Sequence, residues 1–481
     1  MRKIFALAGL AIFTVVLLTA CSLRERDDGY VSDLDYALAH ANQRRQAINQ
    51  PTEDYITALM ANHTPRGTVD LRELMAPRRH VPLMYAEAAI HDIELFFSLL
   101  QDIYGAYYYF GGDDVFLPLR DDIISQLHMQ DIWRMIEFSG LLTEALSTII
   151  ADNHFIVGSQ LIGVSTFFFE FGHAFEKGEN GFRHVENGLY VTEVAGHNID
   201  DVFRLAIGAD GMLYYALVVT QPNTERLAME MYDITVVFEN GETLTETRAS
   251  TRPRQLAHKT PSLRFEGDIP VVTIRSMGYP DSEVIGGVFC NIDANLFLSF
   301  ADEIADAPVV IVDIRSNTGG NMTLSSMWLY NVLGKVVPHI FVPFGRDADI
   351  IRPDELLAQF FMSDEIVEKY WMDPFGQTVE NDQLVILLTD RFTASAGDAF
   401  AGQMLNIKNT LVIGQNTAGV LVANSLGSPI FLPNSGLPFQ FGNAQVAYPQ
   451  GHFAEGLGIA PDLWVSGDAL TATLAMLTQN R

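Results

Sequence analysis

One serine in the C-terminal half of the chain stands where it could act as a nucleophile. Ser395 lies in the segment Thr393-Ala-Ser-Ala-Gly-Asp398, between a predicted buried strand and a predicted helix. The small residues around it would leave its hydroxyl free and leave room for an acyl group. The amide of Ala396 would face a developing oxyanion, and the helix N-terminus would add favourable potential. On this segment alone, Ser395 could equally serve as a helix N-cap.

A second segment with chemical potential is Asp313-Ile-Arg-Ser-Asn-Thr-Gly-Gly320, which ends in a pair of glycines after another predicted strand. Glycine allows sharp backbone turns that direct amide hydrogens into open space, as an oxyanion hole requires. Gly319 and Gly320 are therefore candidate oxyanion donors beside Ala396. By itself, such a pair does not distinguish a binding loop from an ordinary turn.

Together with two later segments, these motifs resemble the tail-specific, or C-terminal processing, serine peptidases. The first looks like the family's Asp-Leu-Arg-x-Asn-x-Gly-Gly motif, and the serine segment resembles its Ser-Ala-x-Glu motif, with Asp398 in place of glutamate. Gly414-Gln-Asn-Thr-Ala-Gly419 and Glu455-Gly-Leu-Gly-Ile-Ala-Pro-Asp462 match the next two family segments in order. The resemblance spans about residues 150 to 465. It implies a serine endopeptidase with a Clp-protease-like, crotonase-type α/β core.

The resemblance departs from the family pattern at the general base. Many members are Ser–Lys enzymes, with the lysine directly after the last glycine of Gly-x-x-Thr-x-Gly, and here that position is Val420. Lys408 is the nearest lysine, but it falls between a predicted helix and a predicted strand, and nothing places it at the serine. The Ser–Lys mechanism is therefore disfavoured.

A histidine offers the alternative base. A branch of the family that includes tricorn-type proteases uses a histidine from a segment resembling Asp-x-His-Thr, and this chain has Asp152-Asn-His154-Phe at that place. A serine hydroxyl needs such a base, and the imidazole needs a partner that fixes its tautomer. The resemblance implies Ser395 as nucleophile, His154 as general base and Glu455 as its orienting partner. His452, near Glu455 in sequence, is the competing histidine.

The elements that would position these residues follow from the hydrophobic pattern. Val309–Asp313 and Leu384–Leu388 are continuous apolar runs, typical of parallel strands buried on both faces, and Thr410–Gly414 is a third. Helix-like stretches at 322–333 and 395–405 follow the first two. This order predicts α/β architecture with sites at the carboxyl ends of the strands.

Upstream of this core, two regions differ in the spacing of their apolar residues. Residues 46–154 have mostly helical spacing and predict a helical N-terminal domain that would cap the active site. Residues 155–260 predict a small β-rich, PDZ-like insert that would help to select peptides, and residues 261–481 form the α/β serine peptidase core. Within the insert, the runs 234–238 and 243–247 predict a hairpin closed on Asn240-Gly241.

The N-terminus predicts export. Arg2 and Lys3 precede an apolar run, and Leu18-Thr-Ala-Cys21 matches the bacterial lipobox, so residues 1–20 are predicted to be a lipoprotein signal peptide. Cleavage before Cys21 and acylation of its thiol would anchor the protein to a membrane in the cell envelope, outside the cytoplasm, with residues 21–45 as a tether. An ordinary signal peptide or an N-terminal membrane anchor is the alternative. After lipidation Cys290 would stand alone, so no intramolecular disulfide is expected.

Charge and motif content narrow the partners. The formal net charge of −29 would repel phosphate backbones, so we expect no nucleic-acid partner. No His, Cys or Glu cluster has metal-ligand spacing and no glycine loop resembles a phosphate cradle, so neither a metal nor a nucleotide is expected. The expected partners are a peptide or protein substrate and a membrane. A catalytically inactive lipoprotein that binds peptides or small ligands on the same fold is the alternative function.

Overall fold

The computed structural model of the chain describes residues 32–46, 68–223, 231–251, 254–257, 260–278, 284–285, 288–289, 291–339, 342–345, 349–351, 378–448 and 453–479. The signal segment 1–20, Cys21, Cys290 and His452 lie outside the described residues. Within the described ranges, no helix has the length and apolar character needed to cross a bilayer.

The helices fall into an N-terminal group and a set that flanks the central sheet. In chain order they are α1 (Asp33–Gln46), α2 (Ala86–Ile103), α3 (Asp113–Leu127), α4 (Met135–Ser147), α5 (Ile199–Val202), α6 (Ile292–Ile304), α7 (Thr323–Leu333), α8 (Ala396–Met404) and α9 (Ala469–Gln479). α2 shows why they form, because it buries Ile93, Phe96 and Leu100 on one face at helical spacing.

A ten-stranded mixed sheet forms the centre of the fold. Its strands, numbered in chain order, are β1 (Ser165–Gly178), β2 (Gly181–His184), β3 (Phe203–Ile207), β4 (Leu213–Asn223), β5 (Ser262–Glu266), β6 (Ile269–Thr273), β7 (Val309–Asp313), β8 (Leu384–Thr389), β9 (Thr410–Gly414) and β10 (Leu463–Trp464). Their order across the sheet is β5-β6-β7-β8-β9-β10-β3-β4-β1-β2. The run from β6 to β3 is parallel, and the strands at both ends are antiparallel.

Smaller sheets surround the central one. A three-stranded sheet combines Val191–Val194, Met231–Phe238 and Thr243–Ala249, and a four-stranded sheet combines Ile156–Val157, Gln160–Leu161, Ile430–Phe431 and Pro438–Gln440. Two-stranded pairs are Thr68–Asp70 with Asp349–Ile351, Leu83–Tyr85 with Ile132–Arg134, Val284–Ile285 with Val288–Phe289, and Val342–Gly345 with Ala444–Ala447.

Both faces of the parallel strands are covered, which explains their continuous apolar sequence. On β8, Val385 and Leu387 face a core that includes α6, α7 and α8, whereas Ile386 and Leu388 face a core with α1 and α9. The strand is therefore buried along its whole length. The mixed α/β fold predicted from the sequence is confirmed, as are the three apolar strands, the helices α7 and α8, and the hairpin of Met231–Phe238 with Thr243–Ala249.

The N-terminal helices pack against a later part of the chain and not only against each other. α2, α3 and α4 share a buried core with residues between 422 and 441. Phe155, next to the proposed base, lies in this core and contacts Tyr104 and Phe441. The helices of the predicted N-terminal domain therefore pack against the segment that carries His154.

Two parts of the predicted organisation need correction. The tether was predicted to run to residue 45, but Asp33–Gln46 is a helix that buries Ala37 and Ala41 in the core of the sheet. The segment 155–260 was predicted to be an insert, but four of its strands, β1 to β4, extend the central sheet. Its short strands Ile156–Val157 and Gln160–Leu161 join the four-stranded sheet, and the three-stranded sheet is formed within the segment itself. The structure therefore does not describe a self-contained PDZ-like module there.

Candidate active site

Ser395 sits at the turn between β8 and α8, directly before the first helical residue. Its backbone has φ 54° and ψ −111°, a conformation that non-glycine residues rarely adopt and that costs of order 1–3 kcal/mol. The amide of Ser395 donates to Oδ2 of Asp398 at 2.6 Å, which holds this turn. The side chain is only half-buried, so its hydroxyl is accessible from outside.

The structure brings the predicted base and nucleophile together. Nε2 of His154 lies 3.1 Å from Oγ of Ser395, although the two residues are far apart in sequence. Nδ1 of His154 lies 2.6 Å from the carbonyl oxygen of Ala423. Because a carbonyl oxygen can only accept, Nδ1 carries the proton and Nε2 presents its lone pair to the serine hydroxyl. This is the tautomer that a general base requires.

Asp152 fixes the backbone on the N-terminal side of the histidine. Its Oδ1 accepts from the amide of His154 at 2.8 Å, and its Oδ2 accepts from the hydroxyl of Tyr104 at 2.9 Å. The carboxyl is fully buried, and this burial raises its pKa. The carboxylate of Asp152 therefore positions the base through the backbone amide of His154 and forms no hydrogen bond with the imidazole ring.

Glu455 does not pair with the imidazole, which corrects the role predicted for it. Its Oε1 accepts from the amide of Asn153 at 2.7 Å, and its Oε2 accepts from the amides of Leu421 at 2.6 Å and Val422 at 2.8 Å. Burial and the neighbouring Asp152 raise the pKa of Glu455 well above its ordinary value, while the three amides lower it. The carboxylate thus ties together the two backbone segments that carry His154 and its carbonyl partner.

Asp398, the residue that replaces the family's glutamate, is also fully buried. Besides the amide of Ser395, it accepts from the amides of Gly419 at 3.0 Å and Val420 at 3.1 Å. Burial raises its pKa even though these amides favour the charged form. The shorter acid therefore still joins the nucleophile turn to the loop that follows β9. Lys408 pairs at the surface with Glu380, with Nζ 2.5 Å from Oε1.

The three candidate oxyanion donors differ in what their amides do. The amide of Gly319 donates to Oδ1 of Asn317 at 2.9 Å and is already engaged. Among the described residues, no hydrogen bond is recorded for the amides of Gly320 and Ala396. A Cβ on Gly319 would lie 2.7 Å from Cβ of Ser395, so the glycine loop runs directly against the nucleophile. Gly320 and Ala396 are the better donor candidates.

Sequence reasoning missed the groups that hold the imidazole in place. The carbonyl of Ala423 has no side-chain signature, and any residue there could supply it. Asp152 stands inside the segment that selected His154 and could have been found from that motif, whereas Tyr104 lies in an aromatic run with nothing to single it out. Within the part of the chain that the structure describes, the one cluster of metal-ligating side chains lies on β1 and β2 and not at Ser395.

Comparison with known proteins gives a family match and distant structural likenesses. Residues 268–465 match the family model described as Peptidase family S41, a range that contains Ser395 and Glu455 but not His154. No curated protein matches the chain.

Among solved structures, mature CPAF complexed with lactacystin is 12% identical, with 82% of this chain and 98% of that chain covered and a TM-score of 0.40. The photosystem II D1 C-terminal processing protease is 12% identical over 81% and 96% of the chains, with a TM-score of 0.37. The tricorn protease is 12% identical over 82% and 37%, with a TM-score of 0.36. These scores are low, so we base the function on the family match and the geometry of the site.

Proposed function

We propose that the chain is an endopeptidase that acts through an acyl-enzyme on Ser395. The match of residues 268–465 to peptidase family S41 supports a serine-type peptidase of the tail-specific protease family. Peptides or proteins are the substrates of this family. The single observation that carries the assignment is the contact of 3.1 Å between Oγ of Ser395 and Nε2 of His154, combined with the bond from Nδ1 to Ala423.

The proposed reaction follows from the protonation state of the imidazole. Nε2 of His154 takes the proton from the Ser395 hydroxyl as the oxygen attacks the peptide carbonyl. The amides of Gly320 and Ala396 stabilise the oxyanion of the tetrahedral intermediate. The imidazolium then gives the proton to the leaving amine, and water, activated by the same nitrogen, hydrolyses the acyl-enzyme.

The alternative function is a catalytically inactive lipoprotein that binds peptides or small ligands. Two features of the sequence are compatible with this alternative: the lysine is missing, and an aspartate replaces the glutamate next to the nucleophile. The site compensates for both differences. His154 supplies a base in place of the lysine, and Asp398 accepts from the amides of Ser395 and Gly419. The site thus favours catalysis over binding alone.

The test is labelling of the purified chain with a serine-reactive fluorophosphonate. We expect wild type to be labelled and Ser395→Ala to be unlabelled, while Ser299→Ala, an exposed serine on α6, keeps full labelling. Equal melting temperatures would show that Ser395→Ala remains folded. No labelling of folded wild type would contradict the proposal and favour the binding alternative.

We also propose that the protein is exported and anchored by a lipid on Cys21, on the strength of the lipobox. The described chain begins at α1, which packs on the central sheet, so the anchor would lie a short distance from the catalytic body. Replacement Cys21→Ser should abolish incorporation of labelled palmitate and release the protein from the membrane fraction of the producing bacterium. Retention of label in that variant would contradict lipidation at Cys21.

A further inference from the structure

A second cluster of reactive side chains lies on β1 and β2, in the turn after β2 and far from the nucleophile. Nδ1 of His173 lies 3.0 Å from Nε2 of His184 and 3.4 Å from Oε2 of Glu186. The three atoms all lie within 4.8 Å of one another. We propose that they bind a divalent transition-metal ion of the Zn²⁺ class. Ligands about 2.0–2.2 Å from a tetrahedral Zn²⁺ lie about 3.3–3.6 Å apart, which is close to this arrangement.

Strand register explains why the three side chains meet. β1 and β2 pair antiparallel with Phe175 opposite His184, and the amide of Val185 donates to Ala174 at 3.0 Å. Continuing this register by one residue puts His173 opposite Glu186. Because side chains alternate between faces, both histidines and Glu186 project from the same face of the pair.

A carboxylate outside the cluster sets the tautomer of His173. Oε1 of Glu246, on the strand Thr243–Ala249, lies 3.2 Å from Nε2 of His173. An ionised carboxylate only accepts, so Nε2 of His173 carries the proton and Nδ1 accepts from Nε2 of His184 at 3.0 Å. A bound cation would replace the proton that these two nitrogens share. In metal sites, a ligating histidine usually donates its other ring N–H to a carboxylate, which fixes the tautomer and the orientation of the ring. Glu246 is itself fixed by the amide of Gly172 at 2.9 Å.

Aromatic rings cover one side of the cluster, and its other side is exposed to water. Phe171 packs against His173, while Phe175 and Phe238 pack against His184, with ring centroids 5.1 to 5.6 Å apart. His184 is 2% exposed, whereas the side chain of Glu186 is 72% exposed. Three protein ligands with one side open to water suit Zn²⁺, which takes N and O ligands and completes its coordination with water.

Basic groups do not compete for the same space. Arg183 lies next to His184 in sequence but pairs with Glu176 at 2.6 Å, and both belong to the opposite face of the strand pair. Nε of Arg248 lies 3.6 Å from Oε2 of Glu246, which is not one of the three proposed ligands. The charge of the cation would therefore be balanced by Glu186 and Glu246.

The position of the cluster makes its role structural. β1 is five strands away from β8, which corresponds to about 24 Å at the usual spacing between strands. β2 is the last strand of the sheet, and its outer edge pairs with the following turn, through a bridge between Arg183 and Tyr190 and a bond from the amide of His184 to Leu189 at 2.9 Å. An ion bound here would fasten this edge strand to β1 and, through Glu246, to the three-stranded sheet.

This site could not be predicted from the sequence, because His173, His184 and Glu186 do not follow a metal-ligand spacing. The proposed site therefore departs from the expectation, drawn from the sequence, that the chain binds no metal. The proposed ion takes no part in the reaction at Ser395. The site thus goes beyond the proposed peptidase activity and can be tested without it.

The experiment titrates the tag-free chain, first stripped with a chelator, with Zn²⁺ alone in a calorimeter. We expect one site in wild type and a rise in melting temperature with Zn²⁺ concentration. Glu186→Gln should weaken the affinity about tenfold or more, since it removes a ligand from an exposed position without disturbing the core. Glu179→Gln, an exposed acid in the same hairpin, is the matched control and should bind like wild type.

Two further measurements make the outcome decisive. Glu246→Gln should also weaken Zn²⁺ binding about tenfold or more, although it would not touch the ion. Fluorophosphonate labelling of Ser395 should be the same in Glu186→Gln and wild type, so a failure of this proposal would not be confused with a failure of the peptidase assignment. No binding by wild type at millimolar Zn²⁺, or equal affinity in Glu186→Gln and Glu179→Gln, would overturn the metal site.

Discussion

Nδ1 of His154 donates its proton to the carbonyl oxygen of Ala423 over 2.6 Å, so a backbone group orients the imidazole. Glu455, which the sequence comparison offered for this role, binds the amides of Asn153, Leu421 and Val422 instead. Asn153 precedes the histidine, and Val422 precedes its carbonyl partner. One buried carboxylate therefore sets the distance between the ring and the group that fixes its tautomer, without touching the ring.

Replacement His154→Gln should remove the general base and keep the fold. We expect kcat to fall by about 10²–10⁴, the usual contribution of a positioned acid or base, with the melting temperature close to that of wild type. The measurement is steady-state peptidase kinetics on an unstructured peptide.

Two controls accompany the His154 variant. His197→Gln, which changes a half-buried histidine bonded to Tyr232, should retain full activity. The double variant with Ser395→Ala should be no less active than Ser395→Ala alone, because residues that act as a unit are not additive. Wild-type kcat in His154→Gln would rule out its role as base.

Replacement Glu455→Gln tests positioning through the backbone. The amide side chain keeps the size but presents an NH₂ group to one of the amides that the carboxylate now accepts from, at a cost of about 1–3 kcal/mol in stability. We expect kcat and the rate of fluorophosphonate labelling to fall together while KM is unchanged, because the ring loses its alignment and the substrate contacts stay.

The control for Glu455 is Glu380→Gln, an exposed acid that pairs only with Lys408 among the described contacts. It should behave as wild type in all three measurements. A Glu455→Gln enzyme with raised KM and normal kcat would instead place this residue in substrate binding, contrary to the positioning role.

The sequence was informative where chemistry lies in side chains and apolar runs. The strands Val309–Asp313 and Leu384–Thr389 could be predicted because both of their faces are buried. The small residues around Ser395 made it a candidate nucleophile but fitted a helix N-cap equally well, and only the family resemblance favoured the nucleophile. His154 came only from the family resemblance, since no local pattern separates it from the other histidines. Its carbonyl partner could not be predicted, because a backbone group carries no residue signal.

Two predictions, the tether up to residue 45 and the insert at 155–260, were wrong for a different reason. The polar and charged residues up to 45 predict a tether, yet α1 packs on the sheet through Ala37 and Ala41, with Leu34, Tyr36 and Leu38 partly buried beside them. Arg44 and Arg45 at the end of this helix bind the buried Asp462. The segment 155–260 has clear strand patterns, but alternation does not state which sheet a strand joins. Sheet membership depends on pairing between distant residues, as between Trp464 and Ala206.

Asp313 should give the free energy of unfolding a defined acid dependence. Burial alone would raise the pKa of Asp313, but the guanidinium groups of Arg315 and Arg275 lower it to about 2, against an ordinary value of 3.8. Because the folded pKa lies below the unfolded one, the stabilisation is present above about pH 4 and is lost as the pH falls toward 2. The full effect is about 2 kcal/mol.

The measurement for Asp313 is urea unfolding at pH 6 and pH 2 in wild type and Asp313→Asn. We expect the variant to be less stable at pH 6, since it leaves the buried guanidinium group of Arg275 without its acid, while Arg315 keeps its pair with Asp468. It should also lose about 2 kcal/mol less than wild type on acidification. An identical loss in both proteins would show that Asp313 does not titrate as its surroundings demand.

The last prediction concerns the contact between α1 and the family's C-terminal Pro-Asp segment. Arg45 donates to Oδ2 of Asp462 at 2.8 Å with its side chain 8% exposed, and Asp462 is fully buried and also accepts from the amide of Val412. Arg45→Ala should lower the free energy of unfolding by about 3–5 kcal/mol, because it leaves part of a buried carboxylate uncompensated.

The matched control for Arg45 is Arg72→Ala, which breaks the exposed pair with Asp70. Solvent and salt screen that pair, so its loss should change the denaturation midpoint very little. The measurement is urea unfolding, and the midpoint and slope of each variant are compared with those of wild type. A small effect of Arg45→Ala, equal to that of Arg72→Ala, would mean that α1 can detach without loss, and the predicted tether would then extend through residue 45 after all. A large effect would establish that α1, Asp33–Gln46, is part of the folded body.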